Sequence, residues 1–169
     1  MSSFQHNIGK RILARHKQVG KSESLKPLSE VRTIGIIHKI GEHTKELNNV
    51  VHYFESVGKQ VMTIGFMDQK ELGEYSSNSK EVYITRKDLT FWKLPKKDVV
   101  SEFIAKEFDY LINLDVKDEL VLQSISGYSK ARIRVGKHSE EYSFCHDFMV
   151  GGDVKTTKEL FNEIRKYIK

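Results

Sequence analysis

Three consecutive residues of this chain, Cys145, His146 and Asp147, have the side-chain types of a nucleophile, a base and an orienting acid. Such a triad works only when its members touch in space. The surrounding segment, 142–150, is apolar and predicts a strand, in which successive side chains point to opposite faces. His146 would then turn away from its two neighbours. We therefore expect Cys145 to be a buried structural residue, and the sequence nominates no catalytic residue.

Histidine and cysteine also bind metals, but the seven histidines of the chain show no ligand spacing. One cysteine cannot form a thiolate zinc site. The sequence therefore predicts no metal site and no bound cofactor. His38 and His43 are the pair of interest, because both flank the first turn from a strand to a helix.

That turn lies in the segment HKIGEHTKEL and lacks the glycines of a nucleotide-binding loop. A dinucleotide site needs several glycines so that the backbone can approach a pyrophosphate, and only Gly41 is present. The triplet Gly20-Lys21-Ser22 matches the end of a phosphate loop, but no strand precedes it. An anion could still meet the backbone amides near Thr44, at the start of the next helix, although an ordinary helix start is the alternative.

The elements that position these residues follow from the apolar periodicity of the chain. The stretch 108–137 predicts one βαβ unit, with a strand at 110–114, a helix at 120–129 and a strand at 131–135. Other strands are predicted at 33–39, 59–67, 81–85 and 142–150. Other helices are predicted at 45–57, from a cap at Asp98 to 106, and after the capping box of Thr156 and Glu159. The loop 68–80 could hold one helical turn, at 71–75.

Strands that alternate with helices predict an α/β fold, a three-layer Rossmann-like sandwich around a mostly parallel sheet of five to six strands. We favour the strand order 3-2-1-4-5. Such sheets bind ligands beyond the carboxyl ends of their strands, where the strand order reverses. The candidate crevice therefore lies between the ends of the 33–39 and 110–114 strands. Its expected lining is His38, Lys39, Gly41, Thr44, Asn113, Asp115 and Lys117.

The acidic residues beside this crevice have two interpretations. Asp115, Asp118 and Glu119 precede a helix, where carboxylates interact favourably with the helix dipole. Asn113 and Asp115 also follow a strand at its carboxyl end, where a ribose, a sugar or a metal-bound phosphate could be held. The sequence leaves both interpretations open.

The net charge of +5 is concentrated near the N-terminus. Residues 1–32 contain seven basic and two acidic residues, and the rest of the chain is neutral. The segment 1–30 is predicted to form a basic amphipathic helix, with Phe4, Ile8 and Ile12 on its apolar stripe, and a polar linker. A single α/β domain is predicted to follow at 31–169.

This basic arm has two possible roles. Its cations could bind a nucleic acid, an anionic membrane or a protein partner, and the candidates are Lys10, Arg11, Arg15 and Lys17. Alternatively, the apolar stripe packs on the domain and the charges are only solvated. A glycine inside the helix, Gly9, is expected to weaken it by about 1 kcal/mol relative to alanine.

The composition is that of a water-soluble protein, with 38% hydrophobic and 30% charged residues. No apolar run approaches the roughly 18–20 residues of a membrane helix. The single cysteine excludes an internal disulfide, and no secretory signal is recognisable. The expected location is therefore the cytoplasm.

Two resemblances add to this reading. FDYLINLD followed by a helix and SKARIRVG resembles the N-terminal half of heptosyltransferase-like glycosyltransferases of the GT-B type, although Asn113 stands where the pattern has aspartate. This resemblance implies a half-transferase without the part that binds the nucleotide-sugar donor. The whole chain looks more like an uncharacterised family of small bacterial α/β proteins, which shares the basic N-terminal helix, DLTFWKLP, the βαβ unit and DFMV. That resemblance implies no activity.

Three functions remain open after this reading. The favoured one is a non-enzymatic binding or interaction module that contacts a macromolecule through its basic arm. The second is a small-ligand binder, for a nucleotide or sugar, that uses the crevice and could be a degenerate transferase half. The third is an enzyme of unrecognised type.

Overall fold

The computed structural model describes residues 2–20, 23–41 and 44–169. In these ranges the chain forms a six-stranded sheet in the order β3-β2-β1-β4-β5-β6, and all five pairings are parallel. The strands are β1 (Thr33–Lys39), β2 (Gln60–Met67), β3 (Glu81–Thr85), β4 (Tyr110–Asn113), β5 (Ile133–Lys137) and β6 (Phe148–Val150). The predicted Rossmann-like α/β fold and the order of its first five strands are confirmed.

Five α-helices accompany the sheet in the described ranges: α1 (Ser3–His16), α2 (Thr44–Ser56), α3 (Lys97–Ala105), α4 (Leu120–Tyr128) and α5 (Thr157–Arg165). Helices α2 and α5 cover one face, where Phe54 and Phe161 pack in the same core as Ile36 of β1. Helices α3 and α4 cover the other face, and their core includes Phe103 and Ile125. No helix in the described part of the chain is long and apolar enough to cross a membrane.

Helix α4 is covered on both sides, and all nine of its residues are buried. One side packs on the sheet and the other packs on α1, where Leu13 of α1 joins Leu120, Tyr128 and Cys145 in a third apolar cluster. This arrangement explains why α4 is apolar all round rather than amphipathic. The N-terminal helix is therefore an outer layer of the domain.

Only part of the predicted stripe of α1 packs on the domain, since Ile12 contacts the third apolar cluster. Gly9 and Leu13 are buried, whereas Phe4 is 66% exposed. A Cβ atom on Gly9 would lie 2.3 Å from the carbonyl oxygen of Trp92 and 2.9 Å from Cδ2 of Leu120. Because Gly9 has no Cβ atom, α1 can approach the backbone that follows β3. This packing role could not be predicted from the helix propensity of glycine.

Three local predictions are wrong. The 142–150 segment is a strand only at β6, because a 3-10 turn at Ser143–Cys145 buries its apolar residues against α4 and α1 instead of the sheet. Helix α3 begins after Lys96, so Asp98 lies in its first turn and does not cap it. Residues 71–75 form a hydrogen-bonded turn without a helix. The capping box of Thr156 and Glu159 is confirmed at the start of α5.

The segment between α1 and β1 lies against the domain where it is described. The Tyr110 hydroxyl accepts a hydrogen bond from the backbone N–H of Lys26 at 2.7 Å. The guanidinium of Arg134 donates to the carbonyl oxygen of Gln18 at 3.2 Å. Leu28 is buried in the core beside α5. These contacts join the N-terminal segment to β4 and β5.

Candidate functional site

The strand order reverses between β1 and β4, and a crevice opens beyond the carboxyl ends of these strands. On the side of α2 and α5 it contains a cavity of about 190 Å³. Four of the seven residues predicted for the crevice line this cavity: His38, Lys39, Asp115 and Lys117. Leu47 of α2 and Thr157 of α5 complete its walls.

A second concavity of about 570 Å³ lies on the α4 side of the same sheet edge. It is bordered by His6 of α1 and by Arg86 and Lys93 from the segment that follows β3. Four residues line both concavities: Lys39, Asp68, Lys117 and Glu119. We call the two together the edge crevice, because a ligand at these shared residues would reach both sides of the sheet.

His38 is the most informative residue of the edge crevice. Its side chain is buried against Gly65 of β2, where a Cβ atom would lie 2.8 Å from Nε2. Nδ1 lies 3.4 Å from the carbonyl oxygen of Lys39, which can only accept, so the neutral ring donates from Nδ1. Nε2 is then an acceptor, and it has no hydrogen-bond partner among the described residues. Burial lowers the pKa of His38 to about 4, so the ring is neutral at pH 7.

Asp115 organises the turn between β4 and α4. Its Oδ1 accepts from the backbone N–H of Lys117 at 2.9 Å, and its Oδ2 accepts from the N–H of Glu119 at 2.6 Å and from Nε2 of Gln123 at 3.0 Å. Burial nevertheless raises the pKa of Asp115 to about 6, because these donors offset only part of the desolvation of its charge. Asp115 therefore stabilises the helix start and also lines the cavity, whereas its role in holding a ligand stays a prediction.

Two amide side chains below Asp115 are incompletely paired. Asn113 is buried, its Oδ1 accepts from the backbone N–H of Asp115 at 3.1 Å, and its Nδ2 has no partner among the described residues. The Oε1 of Gln123 is also buried without a partner. Asn113 supports the turn from beneath and does not line the cavity. Gln123 was missed from sequence because it lies eight residues beyond Asp115, inside α4.

Cations and carboxylates alternate along the rim of the edge crevice. The ammonium group of Lys39 forms an ion pair with Glu119, and the Arg86 guanidinium pairs with Asp68 at 2.6 Å. The Arg86 contact holds the pKa of Asp68 below its usual range. Asp68 was also missed, although it directly follows β2 and so reaches the same edge as Lys39. Lys39 and Arg86 on the rim are therefore each neutralised by a neighbouring carboxylate.

The remaining predicted residues of the crevice lie beside the cavity rather than in it. Gly41 has φ 128°, which only glycine adopts easily, and it turns the chain from β1 toward α2. Thr44 is the first residue of α2. Neither lines the cavity. His43, the partner suggested for His38, lies outside the described residues.

The Cys145-His146-Asp147 triplet is not arranged as a triad. Asp147 pairs with Arg134, whose Nε and Nη2 lie 2.9 Å from its two oxygens. His146 is buried with neither ring nitrogen bonded among the described residues, and burial lowers its pKa to about 4. Burial also raises the pKa of the Cys145 thiol to about 12, so it remains protonated. The premise of a strand was wrong, but the residues do not form a catalytic unit.

The four cations predicted for the N-terminal arm have different surroundings. Lys10 pairs with Glu141 at 2.7 Å, and Lys17 lies 5.2 Å from the ring centre of Phe144. Arg11 and Arg15 are exposed, and neither forms an ion pair with a described residue. In the described ranges, no group of three or more histidines, cysteines or acids is arranged to hold a metal ion.

Comparison with known proteins gives one match. No curated protein and no solved structure matches the chain. One family model matches residues 4–169, from the first turn of α1 to the last residue, and therefore spans both the N-terminal helix and the sheet domain. The chain belongs to this family, which is described as a family of unknown function, DUF6913.

Proposed function

We propose that the protein is a non-enzymatic binding module that holds a small polyhydroxylated anion, such as a sugar phosphate or nucleoside monophosphate, in the edge crevice. The observation that carries this proposal is His38, which lines the cavity and whose buried Nε2, packed against Gly65, has no hydrogen-bond partner among the described residues. An unpartnered buried acceptor costs about 1–3 kcal/mol, and a ligand hydroxyl would recover that energy. The lining of the cavity therefore includes a residue, His38, with an unsatisfied hydrogen-bond acceptor.

The floor of the cavity accepts hydrogen bonds. Nε2 of His38 is one acceptor, and Oδ1 of Asp115 accepts only one described hydrogen bond, which leaves it a second lone pair. Two acceptors in one cavity favour a ligand that presents several hydroxyl groups. Sugars and ribose rings have this property, and they need few apolar contacts.

The rim of the cavity carries two lysines, with the carboxylates of Asp68 and Glu119 beside them. Lys39 and Lys117 line both concavities, so an anionic group held there would lie between the two sides of the sheet. Lys39 is 40% exposed and can turn from Glu119 toward a ligand. A phosphate binds an ammonium group more strongly than one carboxylate does, because it carries more charge and more acceptors. A phosphorylated sugar would therefore bind by displacing Glu119 from Lys39.

The size of the cavity favours a small ligand. Its volume of about 190 Å³ lies below the roughly 300–1,000 Å³ of sites for drug-sized molecules. A single sugar ring fits this space better than a dinucleotide. The single Gly41 of the neighbouring turn agrees with this, since no glycine-rich loop is present to hold a pyrophosphate.

Binding without turnover is favoured by the chemistry of the crevice. His38 has a pKa of about 4 and is a weak base at pH 7, while Asp115 uses both oxygens to hold the β4–α4 turn. A degenerate half of a heptosyltransferase-like enzyme would bind a sugar at this edge without transferring it, and this descent remains a prediction. A bacterial origin and a location in the cytoplasm likewise remain predictions.

A thermal-shift screen with sugar phosphates and nucleoside monophosphates tests the proposal. A ligand at 100 times its Kd stabilises the native state by about 2.7 kcal/mol. His38→Phe, which keeps the size of the ring and removes the acceptor, is expected to abolish the shift. His146→Phe is the matched control, because it changes a second buried, unpartnered histidine that lies outside the edge crevice.

The outcome is decided by comparing these two variants. Loss of the shift in His38→Phe with an unchanged shift in His146→Phe supports the site. Equal shifts in wild type and His38→Phe place the ligand elsewhere. If no compound of either class stabilises the wild type, the proposed ligand class is wrong.

A further inference from the structure

Aromatic side chains are exposed where α1 meets the segment between β3 and α3. Phe4 is 66% and Phe91 is 68% exposed, and both lie beside Trp92, with ring centres 6.3 and 4.9 Å away. Nε2 of Gln5 donates to the carbonyl oxygen of Phe91 at 3.2 Å and joins the two segments. Exposed aromatic rings that cluster in this way are typical of a binding surface.

Positive charge continues this surface along α1. Phe4, Arg11 and Arg15 are separated by seven and four residues, so they lie on one face of the helix. Both arginines are exposed, and neither has an ion-pair partner in the described part of the chain. Helix α1 contains no acidic residue. We call Phe4, Arg11, Arg15, Phe91 and Trp92 the aromatic–arginine face.

The opposite side of α1 holds this face in place. Leu13 is fully buried, and Gly9 lies against the carbonyl group of Trp92. The rings and guanidinium groups therefore project from a packed scaffold, and little chain entropy would be lost when a partner binds. The surface thus belongs to a helix that packs on the domain, which was one of the two roles open for the basic arm.

From this arrangement we infer that the aromatic–arginine face binds single-stranded nucleic acid. Unpaired bases stack on exposed aromatic rings, and each stacked base contributes about 1–3 kcal/mol. Guanidinium groups contact backbone phosphates with two hydrogen bonds each. Both elements occur on one face, with the rings at one end and the arginines along the helix. The inference is independent of the ligand in the edge crevice.

An anionic membrane is a weaker candidate for the same face. A helix that lies in a membrane surface inserts its apolar side. The apolar side of α1 is packed against α4, and the large apolar side chains that stay exposed on α1 and around it are Phe4, Phe91 and Val19 among the described residues. This leaves little apolar area to hold the protein on lipid.

Fluorescence anisotropy with a labelled oligothymidine of about twelve nucleotides tests the inference on the full chain. The logarithm of the binding constant should fall linearly with the logarithm of salt concentration. Arg11→Ala/Arg15→Ala should weaken binding at least tenfold at low salt. It should also reduce the salt slope by about 1.4, since each lost phosphate contact removes about 0.7.

Two further variants separate stacking from charge. Phe4→Ala/Phe91→Ala should weaken binding about tenfold or more without changing the salt slope, because no cation is removed. Lys45→Ala/Lys158→Ala is the matched control, since it removes two exposed cations from α2 and α5 on the other side of the sheet. That control should bind like the wild type. Circular dichroism should show the same fold for all three variants.

Four results would overturn the inference. The wild type could fail to bind the oligonucleotide, or the control could weaken as much as the arginine variant, which would indicate unspecific charge attraction. Unchanged binding by the aromatic variant would remove the stacking role. Capture of the wild type by vesicles of phosphatidylcholine and phosphatidylglycerol, without binding of the oligonucleotide, would make lipid the ligand.

Discussion

Replacement of Gly9 by alanine should destabilise this protein, although the same change usually stabilises a helix. Inside an exposed helix it contributes about 1 kcal/mol of stability. Here the new Cβ would lie 2.3 Å from the carbonyl oxygen of Trp92, against an ordinary carbon–oxygen contact of about 3.3 Å. Since a backbone oxygen cannot swing away, α1 must move outward by about 1 Å.

The expected loss follows from two opposing contributions. Overpacking of this kind costs about 1–3 kcal/mol, and a rigid backbone neighbour favours the upper half of that range. After the gain in helix propensity, the net loss is about 1–2 kcal/mol. Urea unfolding gives this value directly when it is followed by the fluorescence of Trp92, the only tryptophan and part of the contact.

A control on the same helix isolates the contact. Asn7 is exposed on α1, so Asn7→Ala should raise stability by a few tenths of a kcal/mol through propensity alone. If Gly9→Ala is stabilising to the same extent or more, α1 does not pack on the segment around Trp92. The inference that α1 is a fixed layer of the domain would then be wrong.

Three other properties follow from buried groups. Asp147→Ala should lower the free energy of unfolding by about 3–5 kcal/mol, because it leaves the buried guanidinium of Arg134 without its carboxylate; a loss below about 1 kcal/mol in urea would contradict this. Cys145 should resist iodoacetamide in the native protein and react after unfolding, since burial raises its thiol pKa to about 12; prompt labelling of native protein would refute this. Burial lowers the pKa of His146 from 6.5 to about 4, so the unfolded chain takes up the proton first as pH falls through this window. The free energy of unfolding of the wild type should therefore fall by about 3 kcal/mol more than that of His146→Phe between about pH 6.5 and pH 4. If the stabilities of the two proteins change in parallel with pH, His146 is not buried as described.

The sheet was predictable because its signals are local. The bounds of β1 and β3 agree with the predicted strands, since each is a short apolar or β-branched run that ends in turn residues. The 142–150 segment misled because its apolar residues serve another layer: Tyr142 and Cys145 are buried against α1 and α4. Apolar sequence predicts burial, but it does not specify which element provides it.

The candidate site was predictable only in outline. Topology placed His38 and Asp115 at the same sheet edge, and both line the cavity. Leu47 and Thr157 could not be found in this way, because the sequence does not show how far α2 and α5 extend over the edge. The meeting of Phe4 with Phe91 depends likewise on the docking of α1, for which Gly9 was read only as a weakness of the helix.

Histidine side-chain nitrogen spectra, recorded with and without a stabilising sugar phosphate, test the central claim most directly. If the edge crevice binds the ligand through His38, its Nε2 resonance should move to lower frequency as it accepts a hydrogen bond, and that of His146 should stay in place. An unchanged His38 resonance at saturating ligand, or equal movement of both residues, would contradict binding at this edge of the sheet.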